Sequence, residues 1–395
     1  LPQKTLDNFT SKTKYMRIFL LFVFCLSLSL PTLIQAQESI LIQNVRLFDG
    51  ESVRENMDVL IKDGKIANIA VHTAGRTADQ VIEGAGKTLL PGLINAHVHI
   101  WFPVHLAEAA KAGVLTVMDM HASRFSLPIL KALKDSTGFA NYLSAGPGAT
   151  VPGGHGTQFG MPTPTIDSIT NAKTFTEDRV KDGVDYVKIL REPSRPTINF
   201  AQIDTVIATA HAHNKLAVSH ISRKADGVKL ASSDLDGFVH IWFDEPSTAE
   251  EIQVLADGGQ FMVPTILTNK RVIEYFDEQG RKDPYLSIAQ LKAEIKKLHE
   301  AGVNLIAGTD PPNLNINYGT DLFTELELFV ESGLNPTEAL RTATGNTAKA
   351  FKLNEAGRIK VGLPAHIFLV DGNPSRSISD IRKVVHVWKA GKLVK

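Results

Sequence analysis

The sequence predicts an α/β fold, in which a TIM-type (β/α)8 barrel carries a small β-sandwich made from both ends of the chain. In the middle of the chain, eight apolar, strand-like segments alternate with helical patterns. This alternation implies parallel pairing, and eight parallel strands close a barrel. An open doubly wound sheet is the alternative, but no glycine-rich phosphate-binding fingerprint follows the first segment.

The chain of 395 residues divides into four predicted parts. They are a signal peptide, the first part of the sandwich, the barrel and the second part of the sandwich, over residues 1–36, 37–90, 91–355 and 356–395. With 43% hydrophobic residues, the composition excludes a disordered or collagen-like chain.

The N-terminus has the pattern of a secretory signal peptide. A basic segment ending at Arg17 precedes an apolar run over residues 18–34, and we expect cleavage after Ala36. Met16 is the expected start of translation, so residues 1–15 would be an upstream extension. An uncleaved membrane anchor is the alternative. We therefore expect an exported protein, periplasmic or extracellular, without stable membrane association after cleavage.

Charge and cysteine content limit the partners and the metal ligands that the chain can use. Lys and Arg balance Asp and Glu at 42 each, and removal of residues 1–36 leaves a slightly negative chain. No basic stripe with interleaved aromatic residues is present, so a nucleic-acid partner is not expected. Cys25, the one cysteine, lies in the apolar run of the signal peptide. A metal site in the mature chain must therefore use His, carboxylate or lysine-derived ligands.

Turn residues punctuate both predicted parts of the sandwich. Asp63-Gly64 separates two alternating segments near the N-terminus, and Ala390-Gly391 predicts a tight hairpin at the C-terminus. Because the two ends share this pattern, we expect them to pair. In the barrel, residues 146–165 form a loop with Gly or Pro at ten of twenty positions, on the side where barrel active sites lie.

Polar side chains lie at or near the C-terminal ends of several barrel strands. His97 and His99 project from one face of a strand, because side chains alternate with a period of two. Imidazole and carboxylate groups suit Zn, Mn or Fe. The set predicts a metal centre, and its members are His97, His99, Lys188, His220, His240 and Asp310.

Lys188 is unusual because it lies in an apolar segment that should be buried, and lysine is rarely buried without a partner. A neutral, desolvated amine can react with carbon dioxide to form a carbamate, which could bridge two metals. The alternative is a structural lysine paired with Asp185 or Glu192.

Motifs spread along the chain resemble the amidohydrolase superfamily, in the branch of imidazolonepropionase-like and Xaa-Pro dipeptidase-like proteins. These motifs are LLPGLINAHVH (89–99), DYVKIL (185–190), LAVSH (216–220), GFVHIW (237–242), LIAGTD (305–310), NPTEALRTATGNTAKAF (335–351) and GRIKVGLPAHIFLVDGNP (357–374). The chain departs from the family pattern at Ala365-His366, in the sandwich, and at Pro311-Pro312, which could reshape the substrate pocket.

The resemblance implies two divalent metal ions, Zn first and Mn or Fe as alternatives. It implies that His97, His99 and Asp310 bind the more buried ion, that His220 and His240 bind the other, and that Lys188 bridges both as its carbamate. A metal-bridging hydroxide would attack a carbon–nitrogen bond, with Asp310 as general acid and base. Small-molecule amides or dipeptides, of the Xaa-Pro or N-acyl amino acid type, are the expected substrates.

Two further residues are candidate substrate contacts. His155 lies in the Gly-rich loop, where similar proteins have a Gly-Gly-His segment that faces the active site, although a turn histidine is the alternative. Arg191 could bind a substrate carboxylate through its bidentate fork, cap a neighbouring carbonyl or be solvated. The remaining histidines are interpreted as surface or core residues: His105, His121, His211, His213, His299 and His386.

Two other functions stay open at this point. One is a mononuclear, imidazolonepropionase-like cyclic amide hydrolase in which Lys188 is structural. The other is a barrel that binds metal or ligand without hydrolysis. Homo-oligomerisation is compatible with either.

Overall fold

The computed structural model describes residues 39–281 and 287–395. The predicted signal peptide lies outside these residues, so export and cleavage after Ala36 stay predictions. Within the described part of the chain, no helix combines the length and the apolar character that crossing a membrane requires.

Strands and helices alternate through the middle of the chain, as predicted. The strands are β1 (Ile40–Phe48), β2 (Val53–Lys62), β3 (Lys65–Val71), β4 (Gln80–Glu83), β5 (Lys87–Pro91), β6 (Leu93–Val98), β7 (Val114–Asp119), β8 (Asn141–Ser144), β9 (Val187–Leu190), β10 (Ala217–His220), β11 (Gly237–Val239), β12 (Phe261–Val263), β13 (Ile367–Asp371), β14 (Val384–Lys389) and β15 (Lys392–Leu393). The helices are α1 (Pro103–Lys111), α2 (Leu127–Lys131), α3 (Ile169–Lys181), α4 (Phe200–Ala212), α5 (Lys224–Leu230), α6 (Ala249–Gly258), α7 (Ile266–Glu278), α8 (Ile288–Glu300), α9 (Asp321–Glu331), α10 (Pro336–Thr342) and α11 (Gly345–Ala350).

Both ends of the described chain pair in one sheet, which confirms the predicted pairing of the ends. Its strand order is β15-β14-β13-β5-β1-β2-β3, and β4 pairs with β1. Apolar side chains such as Leu47, Leu89 and Trp388 form its core cluster. These strands are assigned to a single eight-stranded sheet, so the second layer of a sandwich stays a prediction.

Two predicted hairpin turns of this sheet are confirmed. Asp63 (φ 52°) and Gly64 (φ 74°) connect β2 to β3, while Ala390 (φ 48°) and Gly391 (φ 71°) connect β14 to β15. Two successive positive φ angles match the twist of a two-residue antiparallel hairpin.

The middle of the chain forms two parallel sheets, of order β6-β7-β8 and β9-β10-β11-β12. Within each sheet, every strand pairs with the strand that comes next to it along the chain. This is expected when a crossover connection, usually a helix, links two parallel strands. Buried Tyr186, directly before β9, and Val218 of β10 lie in one apolar cluster, and Lys188 and His220 follow them by two residues. The period of two therefore places these polar side chains in a layer above the apolar one.

The predicted eighth strand, residues 303–310, is an irregular segment with a single bridge from Leu305 to Met262. Its backbone nevertheless bonds to both neighbours: the Ile306 N–H donates to the Met262 carbonyl, and the Ala96 N–H donates to the Ala307 carbonyl. On the opposite side, the Ala149 N–H donates to the carbonyl of Lys188 in β9. Because the two sheets are assigned separately, the closed barrel stays a prediction.

Candidate metal centre

The structure brings the six predicted ligands to one cavity of about 320 Å³. They come from the end of β6 and the residue after it, from within β9, from the end of β10, from the residue after β11 and from the irregular segment that ends at residue 310. A set of residues so distant in sequence meets because the carboxyl ends of parallel strands share one edge. The lining includes His97, His99, Lys188, His220, His240 and Asp310.

Three ligand atoms converge at the end of β6. Asp310 Oδ1 lies 3.1 Å from His97 Nε2 and 3.0 Å from His99 Nε2. The two imidazole nitrogens are 3.3 Å apart. Tetrahedral nitrogen ligands of one zinc ion, each 2.0–2.1 Å from it, stand about 3.3 Å apart, so these atoms have the spacing of a metal site.

His240 extends this group. Ligand atoms of His97, His240 and Asp310 all lie within 4.8 Å of one another. The His240 ring centroid is 4.6 Å from that of His97 and 4.7 Å from that of His220. His240 therefore adds a further nitrogen donor beside His97 and Asp310.

Hydrogen bonds assign the ring nitrogen that each remaining histidine can offer. The Thr265 hydroxyl donates to the Pro264 carbonyl at 2.8 Å, so it accepts from His240 Nδ1–H at 2.7 Å. Glu192 Oε2 accepts from His220 Nε2–H at 3.2 Å. His240 Nε2 and His220 Nδ1 are then left as lone-pair donors, the arrangement that orients metal-binding histidines.

His99 has a similar arrangement. Its Nδ1 lies 3.3 Å from the His121 backbone carbonyl, which can only accept a hydrogen bond. The carboxylate of Asp119 lies 3.8 Å from the same nitrogen. Donation of Nδ1–H to these oxygens leaves His99 Nε2 for a metal.

The amine of Lys188 is buried without a hydrogen-bond partner among the described residues. The alternative pairing of Lys188 with Asp185 or Glu192 is not formed, because Asp185 pairs with Lys131 at 2.9 Å and Glu192 contacts His220. Burial lowers the pKa of Lys188 to about 7. Burial thus leaves an unpartnered, readily neutralised amine beside the residues that were predicted as metal ligands.

The charges of the site also suit metal binding. Burial lowers the pKa of His97 to about 3, which keeps its imidazole neutral. Burial raises the pKa of Asp310, but the His97 and His99 imidazoles outweigh it and hold that pKa well below the ordinary value. For His99, burial lowers the pKa, and the Asp310 carboxylate more than reverses that effect. A neutral imidazole and an ionised carboxylate are the forms that coordinate metals, so His97 and Asp310 are in the required form, whereas a metal at His99 would take the place of the proton that Asp310 favours.

Four non-glycine residues at the site have left-handed backbone conformations: His240 (φ 69°), Thr265 (φ 48°), Asp310 (φ 60°) and Leu314 (φ 52°). Such conformations are costly for residues with a Cβ atom and cluster at functional sites. Backbone bonds hold two of them, since His240 N donates to the Val263 carbonyl and Asp310 N to the His97 carbonyl.

The two predicted substrate contacts differ in position. His155 lines the cavity, and its ring stacks on His220 with centroids 4.7 Å apart. Arg191 is not brought to the cavity: it donates to the Ile198 carbonyl at 2.7 Å and to Asp226 Oδ1 at 3.0 Å. Its alternative interpretation, a cap on a neighbouring carbonyl, matches this geometry.

The alternation of side chains explains the position of Arg191. Lys188, Leu190 and Glu192 all line the cavity, and Arg191 lies between two of them. The period of two that places Lys188 in the cavity thus continues past the end of β9 and turns Arg191 away.

Three residues that support or line the cavity were not predicted in that role from the sequence: His121, Glu192 and Thr265. His121 was interpreted as surface or core; it is buried, lines the cavity and accepts the Gly148 N–H at 2.9 Å through Nδ1. Each of the three comes one or two residues after a parallel strand. That position is the signal that could have found them.

A sequence profile described as the amidohydrolase family matches residues 88–394. The chain belongs to the amidohydrolase family. Among relatives, a 5-methylthioadenosine/S-adenosylhomocysteine deaminase of Thermococcus kodakarensis is 26% identical over 412 residues, covering 87% of this chain and 88% of that protein. An ochratoxinase of Aspergillus niger is 24% identical and covers 88% of this chain and 84% of its own length.

Solved structures show the amidohydrolase fold for this chain. A Xaa-Pro dipeptidase with bound methionine superposes with a TM-score of 0.78 at 22% identity, covering 90% of this chain and 99% of that one. The predicted family and enzyme class are confirmed: the protein is an amidohydrolase-family enzyme with homologues that act on carbon–nitrogen bonds. Enzymes of this family use divalent metals, and His97, His240 and Asp310 could hold an ion.

Proposed function

We propose that this enzyme is a binuclear, metal-dependent hydrolase that cleaves the carbon–nitrogen bond of a small-molecule amide. The observation that carries the proposal is the buried Lys188 amine, which has no partner among the described residues and lies with four histidines and Asp310 on one cavity wall. A structural lysine would have an anionic or carbonyl partner, whereas a lysine that becomes a carbamate needs room beside metal ligands.

In this proposal, His97, His99 and Asp310 hold one ion, and His220 and His240 hold the other. The neutral amine of Lys188 would bond through its nitrogen to the carbon of carbon dioxide and release one proton, giving an anionic carbamate that would serve as a further ligand. Zinc is the first candidate and Mn or Fe the alternatives, since imidazole and carboxylate suit all three. The bound ions would polarise the scissile carbonyl and lower the pKa of a water molecule toward neutrality.

Asp310 would move the proton. Its described close contacts, from His97, His99 and Asn313, all fall on Oδ1. Oδ2 can therefore accept the proton of the attacking water and deliver it to the leaving nitrogen, which is general acid–base catalysis by one group. We propose that His155, which lines the cavity and stacks on His220, contacts the substrate.

The relatives support amide chemistry. The neighbours of known structure include an Xaa-Pro dipeptidase, and the sequence relatives include an ochratoxinase and deaminases. Xaa-Pro dipeptides and N-acyl amino acids are accordingly the first substrates to assay, together with their uncharged counterparts.

A mononuclear centre is the second candidate, because one compact group of three donors, His97, His240 and Asp310, could hold a single ion. In that case the enzyme would resemble an imidazolonepropionase-like cyclic amide hydrolase, and Lys188 would have no ligand role.

Two structural proposals accompany this function. We infer that the two parallel sheets close into one barrel, because residues 303–310 bond to both β12 and β6. We also infer export through the N-terminal signal peptide, which N-terminal sequencing of the secreted protein would test.

The deciding experiment is metal analysis by inductively coupled plasma mass spectrometry on protein purified without chelator. We expect about two equivalents of transition metal per chain. We also expect Lys188→Ala to lose activity that short carboxylic acids partly restore. About one equivalent, with an active Lys188→Ala variant, would favour the mononuclear centre. No metal after reconstitution with Zn or Mn and bicarbonate would contradict both.

A further inference from the structure

The wall of the cavity offers little positive charge. Among the described residues that line it, Lys188 is the only lysine or arginine, and its amine lies within the ligand cluster. Arg191, the sequence candidate for binding a carboxylate, uses its guanidinium on Asp226 and the Ile198 carbonyl and stacks on Phe200 at 4.6 Å. No arginine fork among the described lining residues is therefore available to hold a substrate carboxylate.

The same wall carries a carboxylate outside the predicted ligand set. Glu192 lines the cavity, and its side chain is 13% exposed while it contacts His220. Like charges placed close together in a partly buried site repel strongly and exclude the wrong partner. An anionic group on the substrate beside Glu192 would meet this repulsion, and apart from Lys188 in the ligand cluster no lysine or arginine of the described lining would offset it.

The mouth of the cavity is apolar. Phe159, Phe243 and Leu314 line the cavity and keep 41%, 39% and 38% of their surface exposed. They come from three separate segments, a 3-10 turn over residues 157–159, the loop after β11 and a 3-10 turn over residues 313–315. Exposed apolar groups that converge on a cavity bind the apolar part of a ligand.

From these observations we propose that the substrate is uncharged: an amide, carbamate or urea with an aryl or alkyl group against Phe159, Phe243 and Leu314. The proposal rests on the proposed function, because it assumes hydrolysis at the ligand cluster. Water adds across the bond, its oxygen going to the carbonyl carbon and its proton to the leaving nitrogen. The cavity of about 320 Å³ is near the lower end of ligand pockets, which suits a small molecule.

Two matched pairs of compounds test the proposal on the metal-loaded full chain. N-benzoylpyrrolidine and N-benzoylproline contain the same scissile bond and differ by one carboxylate. Benzohydroxamic acid and 4-carboxybenzohydroxamic acid share a metal-binding head and differ in the same way. We expect the uncharged amide to have a kcat/KM at least about tenfold higher than that of the carboxylated amide. In calorimetry, we expect the uncharged hydroxamic acid to bind at least about tenfold more tightly than the carboxylated one.

The two assays separate this inference from the proposed function. Tighter binding of the uncharged hydroxamate without turnover of either amide would support the inference about the wall and overturn hydrolysis. Equal or better binding and turnover of the carboxylated members would overturn the inference and leave the hydrolase proposal standing.

Variants of the wall sharpen the test. Phe159→Ala and Phe243→Ala should each weaken benzohydroxamic acid binding about tenfold, whereas Phe125→Ala, which removes a 71% exposed ring outside the lining, should not. Val272→Arg puts a guanidinium on the wall and should shift the affinity ratio toward the carboxylated member by at least about tenfold. An unchanged ratio in this variant, with normal circular dichroism and metal content, would overturn the inference.

Discussion

The two halves of the predicted metal centre are built in different ways. In the first half, the ligand atoms of His97, His99 and Asp310 contact each other directly, at 3.0–3.3 Å. In the second half, the rings of His220 and His240 lie with centroids 4.7 Å apart. Each of these two rings is held by an oxygen atom of another side chain.

This difference shows what each half depends on. The first half is set by the backbone, since the Asp310 N–H donates to the carbonyl of His97 and ties the irregular segment to β6. The second half depends on Glu192 and Thr265, which follow β9 and β12. Supporting side chains can be changed without removing a ligand, so the two halves can be weakened separately.

The largest effect is expected from Asp310→Asn, which acts on the first half. The amide keeps the size of the side chain and one oxygen, but it loses the charge and the oxygen that carries the proton. We expect kcat to fall at least about 10³-fold. Metal analysis of the same sample separates lost catalysis from lost metal, and a variant that keeps its metal and near-normal kcat would contradict the role of Asp310.

The second half should bind metal more weakly when Thr265 loses its hydroxyl group. Thr265→Val keeps the shape of the side chain but cannot accept the His240 Nδ1–H, whereas Thr265→Ser can. We expect the valine variant to bind its second ion 10–100-fold more weakly, about the usual effect of removing such a supporting group. Competition with a chromophoric chelator measures this. Equal losses in the serine and valine variants would indicate a backbone effect at this φ of 48° rather than a hydrogen bond.

Glu192 allows a finer comparison within the second half. Glu192→Gln keeps an oxygen that can accept from His220 Nε2–H, and Glu192→Ala removes it. We expect the glutamine variant to lose less than about tenfold in metal affinity and the alanine variant to lose more. If both variants behave alike, the carboxylate charge, and not the hydrogen bond, supports His220.

The residues predicted as ligands of both halves line one cavity, whereas the side chains that support them were not predicted from sequence. His97 and His99 follow the period of a strand, and Asp310 ends an apolar segment, so the pattern alone indicates a shared edge. The bonds of Glu192 and Thr265 join residues 28 and 25 positions apart. Contacts of that kind depend on how the strands stand side by side, which no local pattern encodes.

The fold has a similar limit. Parallel pairing and the hairpin turns follow from alternation and from Gly and Asp at turns, and both are present. The prediction of an eighth strand was wrong, because residues 303–310 make only isolated backbone hydrogen bonds to their neighbours and no continuous ladder. Near the end of this segment, a Cβ atom on Gly308 would stand 2.9 Å from the Cβ atom of His97. The segment therefore approaches β6 more closely than a residue with a side chain would allow, and it does not form a regular ladder of hydrogen bonds.

The smallest effect on catalysis is expected from a substitution of Glu325, which bonds to the two residues that follow Thr265. This substitution should instead change how stability depends on pH. The two carboxylate oxygens of Glu325 accept the N–H groups of Ile266 and Leu267 in the first turn of α7, at 2.8 and 2.7 Å. Burial raises the pKa of Glu325 to about 8. Since the folded pKa exceeds the unfolded one, the unfolding free energy should fall as pH rises from about 5 to 8, by at most about 1.4 kcal/mol per unit.

Urea unfolding of wild type and Glu325→Gln at both ends of this range measures this change in unfolding free energy. The variant cannot titrate at this position, so its stability relative to wild type should increase with pH. The opposite trend would show that the two N–H donors and the helix N-terminus keep this carboxylate ionised.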